Sequence, residues 1–204
     1  MAFYRDRVFP LLVDLSMRNK RLRPYRERVA GAAEGRILDI GIGSGLNLPF
    51  YGQNVKQIVG IEPSPMLLDM ARNAARRSMS HLELVEGTAE AIPIESASID
   101  TVVTTWTMCS IPNVDGALAE MRRVLSSGGS LLFVEHGRAP EPRVRWWQDH
   151  PTPAWKCLSG GCHLNRAIED LVQRAGFRIE HIEKGYMRGP EPLTFMYEGR
   201  ARPH

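Results

Sequence analysis

The chain has too few cysteines to be held together by disulfides: three in 204 residues, and an odd number. That count argues against a secreted, cross-linked scaffold and for a reducing compartment. Nowhere is there an uninterrupted apolar run of the ~18 residues that a membrane span requires. The apolar core of a signal peptide is missing too, because Arg5, Asp6, Arg7 and Asp14 break up the first residues. There is no internal repeat and no low-complexity tract. No Gly-Lys-Ser/Thr follows the main glycine cluster, which excludes a phosphate-gripping P-loop. What remains is one globular domain over residues 1–204. It is expected in the cytoplasm, with no nucleic-acid partner and no obligate protein partner.

What is present is organised around Arg36-Ile-Leu-Asp-Ile-Gly-Ile-Gly-Ser-Gly45 and Val59-Gly-Ile-Glu62. The apolar run 37–40 reads as a buried strand, and the glycines after it as a tight turn into a helix. A second apolar run, 57–61, ends on the acid Glu62. This is the first βαβ unit of a nucleoside-binding, doubly wound sheet. Gly41, Gly43 and Gly45 allow backbone to approach a ligand closely, and Glu62 can accept both hydroxyls of a ribose. An adenosine-bearing cofactor follows. A dinucleotide fingerprint is spaced G-x-G-x-x-G; here the spacing is G-x-G-x-G, which opposes a nicotinamide-dependent oxidoreductase.

Strand and helix then alternate, as a parallel sheet with crossover helices requires. Strands are expected near 37–41, 57–61, 82–85, 99–104 and 130–135, and helices near 46–51, 65–78 and 114–125. In helix 65–78, Met66, Leu67, Met70, Ala74 and Ala75 share a face that reads as a core stripe. Gly128-Gly129 reads as the turn into the fifth strand. Residues 165–176 read as a helix ending in glycine, and 177–183 and 193–200 as strands. Residues 1–30 stand apart, with eight Lys/Arg against three Asp/Glu in a chain of net charge +3. There Tyr4, Val8, Leu11, Leu12 and Leu15 recur at helical spacing, with a helix restarting at Pro10. The segment reads as a lid over the site, as a helix on an anionic membrane surface, or as a plain amphipathic helix on the domain edge.

Ligands in such sheets bind beyond the carboxyl ends of the strands. That rule selects Asp39, Gly41, Ile42, Gly43, Ser44 and Gly45 after the first strand, and Glu62, Pro63 and Met66 after the second. After the third it selects Thr88, Ala89 and Glu90, and after the fourth Thr105, Trp106 and Thr107. Asp39 reads as a brace for the glycine loop. Trp106 could face a cation or simply pack in the core. Glu135 and His136, at the end of the fifth strand, are the candidate catalytic pair, with His136 as base or orienting group. Cys109 reads as a buried structural cysteine. Trp146, Trp147, His150 and Trp155 fall in an aromatic, proline-rich stretch that suggests an apolar substrate wall. His150, Cys157, Cys162 and His163 raise the question of zinc, but Cys-x4-Cys-His fits no usual ligand spacing, so no metal is expected.

With the glycine motif, five further segments in order resemble the class I S-adenosylmethionine methyltransferases. They are Glu62-Pro-Ser-Pro-Met66; Glu86-Gly-Thr-Ala-Glu-Ala-Ile-Pro93; Ile99–Thr104; Ala117–Leu125; and Ser127–Glu135. The likeness covers roughly 36–136, the expected cofactor core, with 137–204 on the substrate side. It implies a Rossmann-like seven-stranded sheet, mostly parallel, with the last strand antiparallel and helices on both faces. It further implies S-adenosylmethionine as cofactor and S-adenosylhomocysteine as product. Gly41–Gly45 would hold the methionyl end, Glu62 the ribose, Pro63, Met66 and 88–90 the adenine, and 105–107 the methionyl arm. An acid is commoner where Thr88 stands. A narrower resemblance, in Glu135-His136, Trp147-Gln148, Pro153-Ala-Trp155 and Gly161-Cys-His-Leu-Asn-Arg166, is to membrane-associated methyltransferase-like proteins that methylate alkyl thiols. Those carry a long apolar N-terminal anchor, where this chain shows a short amphipathic segment. The acceptor expected is a small, apolar thiol, ahead of phosphatidylethanolamine or a quinone precursor. A non-catalytic S-adenosylmethionine-binding protein is the remaining alternative.

Overall fold

Aliphatic and β-branched runs build seven strands in a computed structural model that describes residues 4–76 and 81–204. They are β1 (Gly35–Ile40), β2 (Val55–Glu62), β3 (Leu82–Glu86), β4 (Ile99–Thr105), β5 (Leu125–His136), β6 (Phe177–Tyr186) and β7 (Phe195–Pro203). Their order in the sheet is β3-β2-β1-β4-β5-β7-β6. The first five pair in parallel, and β7 runs antiparallel to both β5 and β6. The direction of winding reverses between β1 and β4, and that reversal opens a crevice at the strand tips.

Helices cover both faces because successive residues of the central strands are buried on opposite sides. Leu38, Ile40, Val59 and Val102 meet Leu118 and Met121 of α4 (Val114–Val124) and Val172 of α7 (Ile168–Arg174). Ile37, Ile58, Val103 and Val134 meet Val29 and Ala30 of α2 (Arg23–Gly31) and Leu68 and Ala75 of α3 (Pro65–Ala75). Each Val, Leu, Ile or Met side chain among them contributes about 1.5–3 kcal/mol on burial. Ser64 caps α3, its hydroxyl accepting from the Leu67 N–H, and Pro65 occupies the first turn, where a missing N–H costs nothing.

Several boundaries differ from the sequence expectation. Residues 46–51 form only a three-residue 3-10 turn, Leu48–Phe50, because Pro49 lacks the N–H that a longer helix would use. The buried face of α3 is Leu67, Leu68, Ala71 and Ala75; Met66 and Met70 are half-buried and Ala74 is exposed. Of the expected helix 65–78, residues 77 and 78 lie outside the described residues. Gly128-Gly129 lies inside β5, where pairing jumps from Ile99↔Leu125 to Thr101↔Ser130, so it forms an irregularity in the strand and not the turn before it. Leu193 belongs to a short helix, α8 (Glu191–Thr194), and the last strand starts at Phe195. The aromatic stretch after β5 folds into α5 (Pro142–Asp149) and α6 (Thr152–Leu158). At the N-terminus, a π-helical turn (Tyr4–Val8) leads into α1 (Phe9–Met17), with Pro10 in its first turn. Among the described residues no helix is long and apolar enough to cross a membrane.

Candidate active site

At the crevice, the chain turns from β1 on Gly41 (φ 66°) and Gly43 (φ 56°), both in the left-handed region that glycine adopts without strain. A Cβ at Gly41 would lie 2.5 Å from the Thr107 side chain, whereas at Gly43 it would meet only the Gly41 carbonyl, at 3.9 Å. The turn therefore leaves open space above Gly43. Its amides are mostly engaged within the protein: Gly41 and Ile42 donate to Ile61 O, Gly45 donates to Ile42 O, and Gly43 donates to Glu62 Oε2 at 3.2 Å. Ser64 N–H also donates to Glu62, at 3.0 Å. A carboxylate has about four acceptor positions, so those two bonds leave Glu62 room for two more. Burial pushes the Glu62 carboxyl up to about 6, against the pull of the Ser64 and Gly43 amides.

Above this turn lies a cavity of about 1040 Å³. The sheet side of its wall brings together Gly41, Ile42, Gly43 and Ser44 from the first tip and Glu62, Pro63 and Met66 from the second. Thr88, Ala89 and Glu90 come from the third, and Thr105, Trp106 and Thr107 from the fourth. Two residues of the expected set do not reach it. Asp39 is fully buried beneath the turn, accepting from Tyr51 OH (2.8 Å) and Asn47 Nδ2 (3.1 Å). Burial pushes its carboxyl up to about 6 despite those bonds. Gly45 faces the other way, where a Cβ would meet Leu48 and Ala71.

Glu135 and His136 do not line the cavity either. Glu135 is fully buried, and its carboxylate accepts from the N–H groups of Thr107 (2.8 Å), Met108 (3.0 Å) and Cys109 (3.4 Å) and from the Thr104 hydroxyl. It is the brace of the loop after β4. The Nε2 atom of His136 points at Cys162 Sγ, 3.1 Å away, and its Nδ1 is buried without a protein partner. The expected aromatic substrate wall is also displaced. Trp146 and Trp147 are half exposed and pack edge-to-face on each other, and Trp146 stacks on His150 at 4.1 Å. Trp147 lines a separate shallow recess with Arg143 and Pro192, and Trp155 is half-buried on α6, away from the cavity. Helix α5 turns the Trp146 and Trp147 rings outward.

The facing wall comes from the N-terminal segment instead. Phe9, Pro10, Val13, Asp14 and Met17 of α1 line the cavity, along with Arg26 of α2 and Ser110, Ile111 and Pro112 after β4. Arg26 is the residue that the sequence reading missed: it sits in a basic run that looks like a solvated surface. It is only 5% exposed, its guanidinium lies 4.8 Å from the Trp106 ring centre, and its Nε has no partner. Burial lowers its pKa to about 10, with Asp39 pulling the other way. Trp106, in the left-handed region at φ 52°, therefore faces a protein cation. Trp106 Nε1 and Asn47 Oδ1, of two further cavity residues, are likewise buried and unpaired. Three unpaired polar atoms, a half-used carboxylate and a Cβ-free turn suit a ligand that is polar at one end and carries vicinal hydroxyls at the other.

A family model described as "Methyltransferase domain" matches residues 38–133. The human thiol S-methyltransferase TMT1B is 32% identical over 178 residues, spanning 82% of this chain and 69% of that protein. Human thiol S-methyltransferase TMT1A is 31% identical over 72% of this chain, which spans only 63% of that relative's length. A phosphatidylethanolamine N-methyltransferase of Cereibacter sphaeroides is 30% identical, with 85% of each chain covered. In fold, the chain resembles a putative methyltransferase solved in complex with the Haloferax volcanii Trm112 activator, with a TM-score of 0.76 at 16% identity, covering 100% of this chain and 97% of that one.

Proposed function

The chain belongs to the S-adenosylmethionine-dependent methyltransferases that carry this domain, and from that premise we propose that it methylates a small, apolar thiol. The bound cofactor supplies a methyl group on a sulfonium, already activated for in-line displacement. Glu62 would accept the ribose hydroxyls, the open side of the Gly41–Gly43 turn would admit the amino-acid end, and Arg26 would offer its guanidinium to the carboxylate there. Pro63, Met66 and Ala89 would flank the adenine. Thr105 and Thr107 would border the methionyl arm, and α1, tied to the turn through Asp14 and Ser44, would exclude water.

The observation that carries the thiol reading is the make-up of the opposite wall. Phe9, Pro10, Val13, Met17, Ile111 and Pro112 present apolar surface beside the charged Asp14 and Arg26, and none of the described lining residues is a histidine or lysine. A thiol of pKa about 8.5 is partly ionised near neutrality and asks little of a protein base. An amine or phenol asks for more. The likeness to thiol S-methyltransferases supports the same choice.

A second reading rests on α1 itself. Its cavity face is Pro10, Val13, Asp14 and Met17, while Leu11, Leu12 and Leu15 are 49%, 49% and 70% exposed. With Arg18, Lys20, Arg21 and Arg23 following, we read this outer face as a contact with an anionic membrane surface, where apolar thiols or phosphatidylethanolamine would partition. Transfer of labelled methyl from S-adenosylmethionine to alkyl thiols, ethanolamine lipids and quinols separates the acceptors. Labelled thioether is the expected product; label confined to the lipid extract would replace the thiol by the phospholipid.

A further inference from the structure

Three donor side chains, far apart in sequence, meet next to the part of the cavity wall that holds Ser110 and Ser159. Cys109 lies just after β4, His136 ends β5, and Cys162 sits in the turn between α6 and α7. The two sulfurs and one imidazole nitrogen all lie within 4.8 Å of one another, with Nε2 of His136 3.1 Å from Cys162 Sγ. Cys109 is buried and Cys162 half-buried. We propose that Cys109, His136 and Cys162 bind one zinc-class divalent ion, which clips the 159–163 turn onto the loop after β4.

Two thiolates and a neutral imidazole are the donor set that a borderline-soft ion prefers, and three protein donors leave one position for water. On binding, both thiols release their protons to solvent, and the divalent charge is matched by two thiolates. Bonds of about 2.3 Å to sulfur and 2.0–2.1 Å to nitrogen put donors on one tetrahedral ion roughly 3.5–3.8 Å apart. The observed cluster reaches that spacing with side-chain shifts of about 1 Å. The surrounding loop is already held in place: Glu135 accepts three of its amides, and Arg166 donates to the Met108 and Ile111 carbonyls. Cys157, exposed on α6 with its thiol turned to the Pro153 carbonyl, is outside the cluster. Ser110 and Ser159, close in sequence to the two ligating cysteines, line the cavity, so an ion here would set the shape of the acceptor pocket.

The test uses the full chain, reduced and stripped of metal, titrated with Co²⁺ and then with Zn²⁺ against a chromophoric chelator. A single equivalent of cobalt is expected to give thiolate-to-metal absorption and the visible bands of a four-coordinate ion, both displaced by zinc. Cys109→Ser, Cys162→Ser and His136→Gln should each weaken zinc binding at least about tenfold, while Cys157→Ser leaves it unchanged. Circular dichroism shows which variants fold, and the cobalt spectrum of the unaltered protein stands whether or not they do. Absence of thiolate absorption at one equivalent of cobalt, or its loss in Cys157→Ser with retention in Cys162→Ser, overturns the site.

Discussion

The Ser44 hydroxyl, on the glycine turn, donates to the carboxylate of Asp14 on α1, which Arg18 also holds at 2.7 Å. Asp14 is 8% exposed. The bond spans the cavity from its sheet side to its helical side, and it couples the position of α1 to the conformation of the turn beneath the ligand.

Asp14→Ala should therefore loosen α1 while leaving the sheet intact. A charge-assisted hydrogen bond is worth about 1.5–3 kcal/mol, so the affinity for S-adenosylhomocysteine should fall roughly tenfold or more. Trypsin should cut faster within residues 18–23. An unchanged cleavage rate would show that α1 is held by its apolar face alone.

Glu62→Ala removes the one acid at the second strand tip and leaves the Gly43 and Ser64 amides without their acceptor. We expect S-adenosylhomocysteine affinity to drop at least about tenfold by calorimetry, from one or two lost charged hydrogen bonds. Retained affinity would move the ribose away from this residue.

The same acid gives the site a pH dependence whose sign can be worked out. Its carboxyl is raised to about 6 by burial, as is that of Asp39. A raised carboxyl means that the folded state holds the proton more tightly than the unfolded chain does. The ligand-free protein therefore loses stability from these groups as pH climbs from about 4 to 6, on the order of 2 kcal/mol each. Ligand binding goes the other way, because ribose hydroxyls donate best to the ionised acid. Affinity for S-adenosylhomocysteine should be level above about pH 7 and weaken below about pH 6. Calorimetry between pH 5 and 8 checks it, and a flat profile would remove Glu62 as the titrating acceptor.

The sheet and the cofactor side of the site could be read from sequence because each depends on local rules. An apolar run, a glycine turn and an acid at the next strand tip place Gly41, Gly43 and Glu62 without knowledge of the rest of the fold. The opposite wall could not be read this way. Glu135 and His136 do end a strand, but the amides of the loop after β4 take the Glu135 carboxylate and Cys162 takes His136 Nε2, so neither side chain lines the cavity. Trp146, Trp147 and Trp155 have the composition of a pocket wall, yet the way α5 and α6 dock leaves none of the three on the cavity, and Trp146 and Trp147 half exposed. Arg26 and the cavity face of α1 look like an ordinary basic amphipathic segment until the helices dock. The grouping of Cys109, His136 and Cys162 depends on three loops meeting, and no spacing within the chain announces it.

The placement of Glu135 predicts a stability phenotype. Glu135→Gln puts an amide NH₂ where one acceptor oxygen stood, against either the Cys109 amide or those of Thr107 and Met108. A loss of about 2–4 kcal/mol in urea unfolding is expected from these buried, mispaired groups. Unaltered unfolding with a collapse in turnover would restore Glu135 as a catalytic group.

The exposed edge of α1 can be tested apart from its cavity face. Leu12→Glu with Leu15→Glu changes two side chains that are 49% and 70% exposed and do not line the cavity. Sedimentation with phosphatidylserine-containing vesicles should fall severalfold, and turnover on a water-soluble thiol should hold. Equal sedimentation of both forms would remove the membrane contact while leaving the transfer chemistry untouched.

Arg26 sets protein stability against ligand binding. It is a buried cation whose Nε has no hydrogen-bond partner and whose main contact is the face of Trp106. A buried, incompletely paired charge is destabilising until something neutralises it, and here the cavity is where a carboxylate would do so. Arg26→Met keeps most of the packing on Trp106 and removes the charge. The ligand-free variant should melt at the same temperature or higher, while its affinity for S-adenosylhomocysteine falls at least about tenfold. Decarboxylated S-adenosylmethionine, lacking the carboxylate, should bind the original protein and the variant alike. If the variant instead melts lower and binds both ligands as before, Arg26 is a packing element and does not hold the carboxylate.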